Sequence, residues 1–333
     1  MPWGMVGVPP RPGFVRSRYI ALTANVGAGG SFDPALTLSA GAPTPMWTII
    51  DGAGVTVWTG ASITHVQTGA GDMQVTLGPA SLYPYITALD ANTDGLKGTL
   101  TVGSFLGRLP NLTSLTLRTN ASLVCSWRLA DLPAGMTYLS LYSTASTITG
   151  SLANLPAGMT YLNLGSTAST ITGSLANLPA GMTVLSLYST ASTITGSLAN
   201  LPAGMTHLNL DSTASTITGS LANLPAGMTY LNLGSTASTI TGGATAPVTL
   251  QNVQLQSTGR SQAQVDEIVN CIYQRRAAFT FATPILNVGG TNAAPSGAYA
   301  DEDPPVTGKG MIYELVVDPE IEGFRKWTIT YTA

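Results

Sequence analysis

A 23-residue unit, LPAGMTYLSLYSTASTITGSLAN, begins at Leu132 and recurs from Leu155, Leu178, Leu201 and Leu224 with few changes. Units this alike must bury their apolar faces against one another, so the chain is expected to stack coil upon coil. In the first unit the apolar positions are Met136, Leu139, Leu141, Ile148, Leu152 and Leu155. Side chains alternate along MTYLSL, so Leu139 and Leu141 turn inward with Met136 while Tyr138, Ser140 and Tyr142 face out. Six buried aliphatics per coil, at ~1.5–3 kcal/mol each, offset the ordering entropy of a unit only when neighbours cover both its faces. Degenerate units extend the array. Upstream are Leu112, Leu115, Leu117 and Asn120, and before them Ile86, Leu89, Asp94, Leu96, Gly98 and Leu100; downstream are Leu250, Val253, Leu255 and Thr258. The pattern predicts about eight coils over residues 81–260.

The spacing LxxLxL followed by a second apolar cluster resembles the leucine-rich-repeat family. ITGSLANLP is similar to the LTGxIPxxLxxL stretch of its plant-type subclass, with a turn two residues longer between Leu141 and Ile148. The resemblance implies a mainly β, right-handed solenoid. Asn120 matches the asparagine usual in this family, which later coils replace by Thr and Ser. A stacked hydroxyl ladder along Ser143, Ser166, Ser189, Ser212 and Ser235 is expected to satisfy turn backbone in its place.

The ends read as other modules. Residues 1–18 form a Pro/Gly-rich arm with Arg11, Arg16 and Arg18 and no acid. Residues 19–80 alternate in short β-type runs (YIALTANV, PALTLSA, MWTII, VTVW, ITHV, MQVTL), predicting a small β-sandwich. Residues 261–333 form a cap. Ser261 and Gln264 make a capping box, and Val265, Ile268, Val269, Ile272 and Tyr273 make one helical stripe. Strand-like ILNV, an acidic loop at Asp301, Glu302 and Asp303, a short helical MIYELVVD and a closing strand WTITYT follow. The acidic loop reads as solvated, with Ca²⁺ binding as the alternative. LNVGGTNAAPSG, DPPVTGKG, YELVVDPE and EGFRKWTITYT resemble the endings of leucine-rich-repeat proteins of bacteriophage and prophage genomes.

Charge narrows the function. Only 9% of the 333 residues are charged and the net charge is −3, so no basic footprint for nucleic acid is present. No apolar run approaches the ~18 residues of a membrane span, and no cleavable secretion signal is evident at the N-terminus. Cys125 and Cys271 fall about six coils apart, which at ~4.8 Å per coil is far beyond the ~7 Å Cα reach of a disulfide. Two buried free thiols are expected.

Between Leu132 and Gly259 the charged residue is Asp211 and the histidine is His207. Four residues apart on a strand they lie ~13 Å from one another, so they form no dyad. No metal-ligand set, cofactor motif or catalytic group is expected. The outward strand positions are where the units differ. One column reads Tyr138, Tyr161, Val184, His207, Tyr230; the next Ser140, Asn163, Ser186, Asn209, Asn232; the third Tyr142, Gly165, Tyr188, Asp211, Gly234. An aromatic stripe beside an amide stripe, with pits at Gly165 and Gly234, suits sugar rings or a protein partner; cross-strand packing is the plain alternative. A second array, Thr147/Thr149 through Thr239/Thr241, is expected as a two-column lattice resembling that of ice-binding solenoids, or simply as good strand formers. The expectation is therefore a non-enzymatic virion-surface protein of tail-fibre, adhesin or capsid-decoration type. Its arm would contact neighbouring subunits and its concave face a host protein or glycan. A signal-less exported adhesin or ice-binding protein at the cell surface, or a structural filament subunit, is the alternative.

Overall fold

The computed structural model describes residues 20–25, 31–51, 54–67, 71–92, 95–279, 284–300, 304–317 and 326–333. The arm with Arg11, Arg16 and Arg18, the strand-flanking Tyr19, Asp94 and the acidic loop Asp301–Asp303 lie outside the described residues.

The chain is a leucine-rich-repeat solenoid. Its front is an 11-stranded sheet whose parallel core runs through Ile86–Asp90, Ser114–Thr116, Tyr138–Ser140, Tyr161–Asn163, Val184–Ser186, His207–Asn209, Tyr230–Asn232 and Asn252–Gln254. These are the strands of the eight expected coils. Within the repeats, equivalent residues pair, as in Tyr138↔Tyr161 and Leu139↔Leu162. Two further parallel strands from the C-terminal region, Ile285–Val288 and Thr328–Tyr331, continue the same sheet. Met136, Leu139, Leu141, Ile148 and Leu152 are fully buried, as are their equivalents in later coils. Each unit then crosses to a back sheet (Thr149–Ser151, Thr170–Ser174, Thr193–Ser197, Thr216–Ser220, Thr239–Thr241) and returns through a 3₁₀ turn such as Leu175–Asn177. Ser174 caps that turn, accepting the Ala176 N–H at 3.2 Å. Gly173 precedes it at φ +113°, and a Cβ there would lie 2.8 Å from Ser151 Oγ, so glycine is required.

The hydroxyl ladder runs along different residues from those expected. Ser143, Ser166, Ser189, Ser212 and Ser235 adopt left-handed φ of 52–57° at the turn. The buried ladder is the Thr–Ser pair that follows. Thr190 Oγ1 donates to the Leu187 carbonyl at 2.6 Å and lies 2.8 Å from Ser192 Oγ, which accepts the Ile171 N–H of the preceding coil at 3.0 Å. A carbonyl cannot donate, so Thr190 spends its proton on Leu187 and Ser192 donates to Thr190. Asn120 performs the same task with one amide. Its Oδ1 accepts the Leu96 N–H at 2.8 Å and its Nδ2 donates to the Leu117 carbonyl at 2.9 Å. Asn292 repeats this at the far end, donating to Leu255 and Val288. The exposed turn serines were mistaken for the ladder because the hydroxyl count alone cannot say which one faces inward.

Both ends of the stack are covered. Strands β1 (Ile20–Ala24), β2 (Ser31–Phe32), β3 (Ala35–Leu38), β4 (Met46–Asp51), β5 (Gly54–Thr59), β6 (His65–Val66) and β7 (Met73–Gly78) form the N-terminal module. They are joined to the solenoid by backbone. β3 pairs antiparallel with Ile86–Asp90 on the front, and β1 pairs with Leu96–Thr101 on the back. Trp47, Ile49, Phe32 and Met73 fill the module, fully buried. At the other end, helix α1 (Gln262–Tyr273), with the expected Ser261–Gln264 capping box, buries Val265, Ile268, Val269 and Ile272. Helix α2 (Gly308–Val317) is tied to it where Tyr273 donates to Glu314 at 2.6 Å. Arg260, 3% exposed, occupies the ladder position after Ser238, and burial lowers its pKa to about 10.

The ladder is testable. Ser192→Ala orphans the buried Ile171 N–H and should cost about 1–3 kcal/mol in urea unfolding. Ser189→Ala, at the exposed turn, should stay within about 0.5 kcal/mol. Cys125 and Cys271 are buried free thiols, each pushed up to about 12 by burial. Both should resist a thiol reagent in buffer and react in denaturant without prior reduction.

Candidate functional site

The outward columns of the front sheet bring the expected side chains together, and neighbouring coils hold them. Tyr138 and Tyr161 stack face to face, with ring centroids 4.2 Å apart and planes 12° from parallel. His207 and Tyr230 stack at 5.6 Å and 12°. Val184 lies between the two stacks in the paired register. Burial, and then the neighbouring Tyr161, push the Tyr138 hydroxyl up to about 12. Burial lowers the pKa of His207, favouring the neutral ring.

The amide column is tied into the turns. Asn163 Oδ1 accepts the Gly165 N–H at 3.0 Å, Asn209 the Asp211 N–H at 3.2 Å and Asn232 the Gly234 N–H at 3.0 Å. Each asparagine thus spends its carbonyl on its own backbone, which leaves its NH₂ as a donor on the outward face. Asn287 does the same in the C-terminal region. The NH₂ of Asn232 donates to the Tyr230 hydroxyl at 3.4 Å.

The expected pits at Gly165 and Gly234 are filled. A Cβ on Gly165 would fall inside the Tyr188 ring, which leans back from the next coil over the glycine. Gln256 lies over Gly234 in the same way and donates to Asp211 at 3.5 Å, spanning two coils. The glycines of this column are therefore packing positions, each covered by the side chain of the next coil, the Tyr188 ring on Gly165 and the Gln256 amide on Gly234. What remains is a smooth strip of tyrosine faces and amide groups.

His207 and Asp211 stay apart as expected. His207 Nδ1 lies 3.1 Å from Thr206 Oγ1, while Asp211 accepts from Ser212 at 3.1 Å. Three residues of this face were missed. Arg118 lies 6.0 Å from the Tyr142 ring centroid, Asp90 shares a strand row with Thr116, and Gln256 covers Gly234. Their signal was in the sequence: extending the three columns into the degenerate coils puts Asp90 in the second and Arg118 and Gln256 in the third. Among the described residues, no group of three or more His, Cys, Asp and Glu side chains could hold a metal. No helix there is long and apolar enough to cross a membrane.

The threonine array differs from a two-column lattice. The back strands pair with a two-residue offset, Thr149↔Thr170, Thr172↔Thr193, Thr195↔Thr216 and Thr218↔Thr239, so the columns run obliquely. Thr172, Thr195 and Thr218 also donate to the glycine carbonyls of preceding coils at 3.3–3.5 Å. The exposed methyls and hydroxyls form a sheared band. A shallow hollow at its edge, lined by Ser126, Trp127, Arg128, Asp131, Thr147 and Thr149, has its arginine paired with Asp131 at 2.8 Å.

No family model matches the chain, and no curated protein sequence does. Among solved structures it is similar to a plant ice-binding protein, at 17% identity and TM-score 0.32, over 51% of this chain and 72% of that one. It is similar to the leucine-rich-repeat ectodomain of the Arabidopsis thaliana receptor kinase GASSHO1/SCHENGEN3, solved with CASPARIAN STRIP INTEGRITY FACTOR 2, at 16% identity and TM-score 0.30. That match covers 59% of this chain and 31% of the other. The third is the plant peptide hormone receptor RGFR1 in complex with RGF2, at 14% identity and TM-score 0.28, over 65% and 49%. The chain thus spans less than half of either receptor chain.

The ring-on-glycine packing gives a direct expectation. Gly165→Ala should displace the Tyr188 ring and destabilise the fold by about 1–3 kcal/mol, as overpacking does. Adding Tyr188→Ala to Gly165→Ala should recover most of that loss in a double-mutant cycle.

Proposed function

We propose that the chain is a non-enzymatic display protein of a virion surface, whose solenoid presents the concave tyrosine–asparagine strip to a host protein or glycan. The observation that carries the recognition half is the ordering of that strip. Tyr138 on Tyr161, His207 on Tyr230 and Tyr188 on Gly165 are held by packing, so a partner would bury them at little cost in side-chain entropy. The virion half is supported by the phage-like ending, the low charge and the arm with Arg11, Arg16 and Arg18, read as an assembly segment. The same reading assigns no cofactor, no nucleic acid and no membrane insertion. Export as a cellular adhesin is the alternative localisation.

Replacing Tyr161, Tyr188, Asn209 and Tyr230 together by alanine should lower binding to a glycan array or host surface at least about 30-fold. That is the loss expected from removing a single hot-spot side chain worth ~2 kcal/mol. A retained circular dichroism spectrum would show that the fold survives. Replacing Thr172, Thr195 and Thr218 by serine is the matched control on the back sheet and should leave binding unchanged. Binding that survives the concave substitutions would remove this face as the site.

A further inference from the structure

From Tyr138 to Tyr230 the first outward column of the front sheet carries a ring in every coil but one. The exception is Val184, a half-buried side chain whose methyls end at the level where the neighbouring rings begin. Tyr161 spends one face on Tyr138, at 4.2 Å between centroids, and His207 spends one on Tyr230, at 5.6 Å. Each pair is 12° from parallel, so the second faces of Tyr161 and His207 look toward each other across Val184.

The same coil is low in its second column too. Ser186, 8% exposed, lies between Asn163 and Asn209. Its third outward side chain, Tyr188, leans away over Gly165. A slot therefore crosses the strip, walled by Tyr161 with Asn163 and by His207 with Asn209, and floored by Val184 and Ser186.

Its width selects an occupant. Tyr161 and His207 are two strand spacings apart, about 9.6 Å. A flat ring standing between them would lie ~4.8 Å from each wall, within the roughly 4.5–7 Å of aromatic pairs. That distance also falls between the 4.2 and 5.6 Å of the column's own stacks. Two rings would need three such intervals, which the gap cannot hold. One wall is fixed by its own hydrogen bond. Thr206 gives its hydroxyl proton to the Thr183 carbonyl at 3.2 Å, so at 3.1 Å from His207 it accepts, and His207 Nδ1–H donates. Asn163 and Asn209 have spent Oδ1 on the Gly165 and Asp211 N–H groups and offer NH₂ donors alone. A peptide meets that demand, because backbone carbonyls, which only accept, flank each of its side chains. A pyranose brings hydroxyls that also donate, and the two amides have no free oxygen to receive them.

We infer that the slot over Val184 binds one aromatic side chain of a protein partner, stacked between Tyr161 and His207, with Asn163 and Asn209 donating to the backbone carbonyls beside it. This rests on the concave face as the recognition surface and names a protein, rather than a glycan, as what it holds.

NMR of the full chain, titrated with N-acetyl-L-phenylalaninamide, tests it. The Tyr161 and His207 ring protons should move upfield together and saturate, as protons over the face of an inserted ring do. N-acetyl-L-leucinamide and methyl β-D-glucopyranoside should leave them in place. Val184→Tyr supplies the missing ring from within and should weaken the probe at least about 10-fold. His207→Ala removes a wall at an exposed position and should weaken it comparably, so the test does not hang on one variant folding. Ring protons that stay put up to the solubility of the probe would overturn the inference. So would an equal response to leucinamide, or binding indifferent to both variants. Saturation by the glucoside alone would assign the slot to a sugar instead. The two readings fail separately. Host binding lost in the four-alanine variant, with Tyr161 unmoved by phenylalaninamide, removes the slot and keeps the concave site. Uptake of the probe by a chain whose host binding survives the four alanines does the reverse.

Discussion

The solenoid depends on one recurring solution to a buried-backbone problem. Where each coil turns away from the front sheet, N–H and C=O groups are carried into the interior and water cannot reach them. Thr190 and Ser192, each under a tenth exposed, link the Leu187 carbonyl of their own coil to the Ile171 N–H of the coil before. Remove that relay and the aliphatic contacts would hold an unsatisfied donor between coils, which costs more than the net worth of an ordinary hydrogen bond. Asn120 and Asn292 make the same connection at the two ends, so amide and paired hydroxyls are interchangeable answers to one constraint.

That interior constraint leaves the exterior free to vary within limits set by neighbours. The positions of Met136, Leu139, Leu141 and Ile148 keep the same residue from coil to coil, and each is fully enclosed by the coils on either side. The outward columns do change, yet in compensated pairs: Tyr188 requires the missing side chain at Gly165, and Gln256 the one at Gly234. The front strip is therefore ordered by the same nearest-neighbour logic as the core, and its tyrosine faces are fixed before any partner arrives.

Termination follows from the same requirement. A stack of parallel strands has open edges, which invite further chains. On the back sheet the C-terminal end is sealed against α1, whose Glu267 carbonyl approaches Gly242 so closely that a side chain there would collide, while on the front the sheet runs on through Ile285–Val288 to Thr328–Tyr331. The N-terminal end is sealed by β3 on the front and β1 on the back. That second sheet transfers the edge problem to β5, where apolar side chains face outward.

The period of 23 residues, the inward LxxLxL positions, the helix behind Ser261 and the separation of His207 from Asp211 were all legible in the sequence. They follow from local alternation and spacing, which a repeat states five times over. Other features depend on which residue of one coil meets which residue of the next. The relay at Thr190 and Ser192 rather than at Ser189, the two-residue slip that shears the threonine columns, and the Tyr188 ring and Gln256 amide that close the glycine pits are of this kind. So are the two extra strands Ile285–Val288 and Thr328–Tyr331 on the front sheet. Periodicity determines that coils stack; their lateral register is settled by side-chain packing and backbone pairing between coils, and that exists only once the chain has folded.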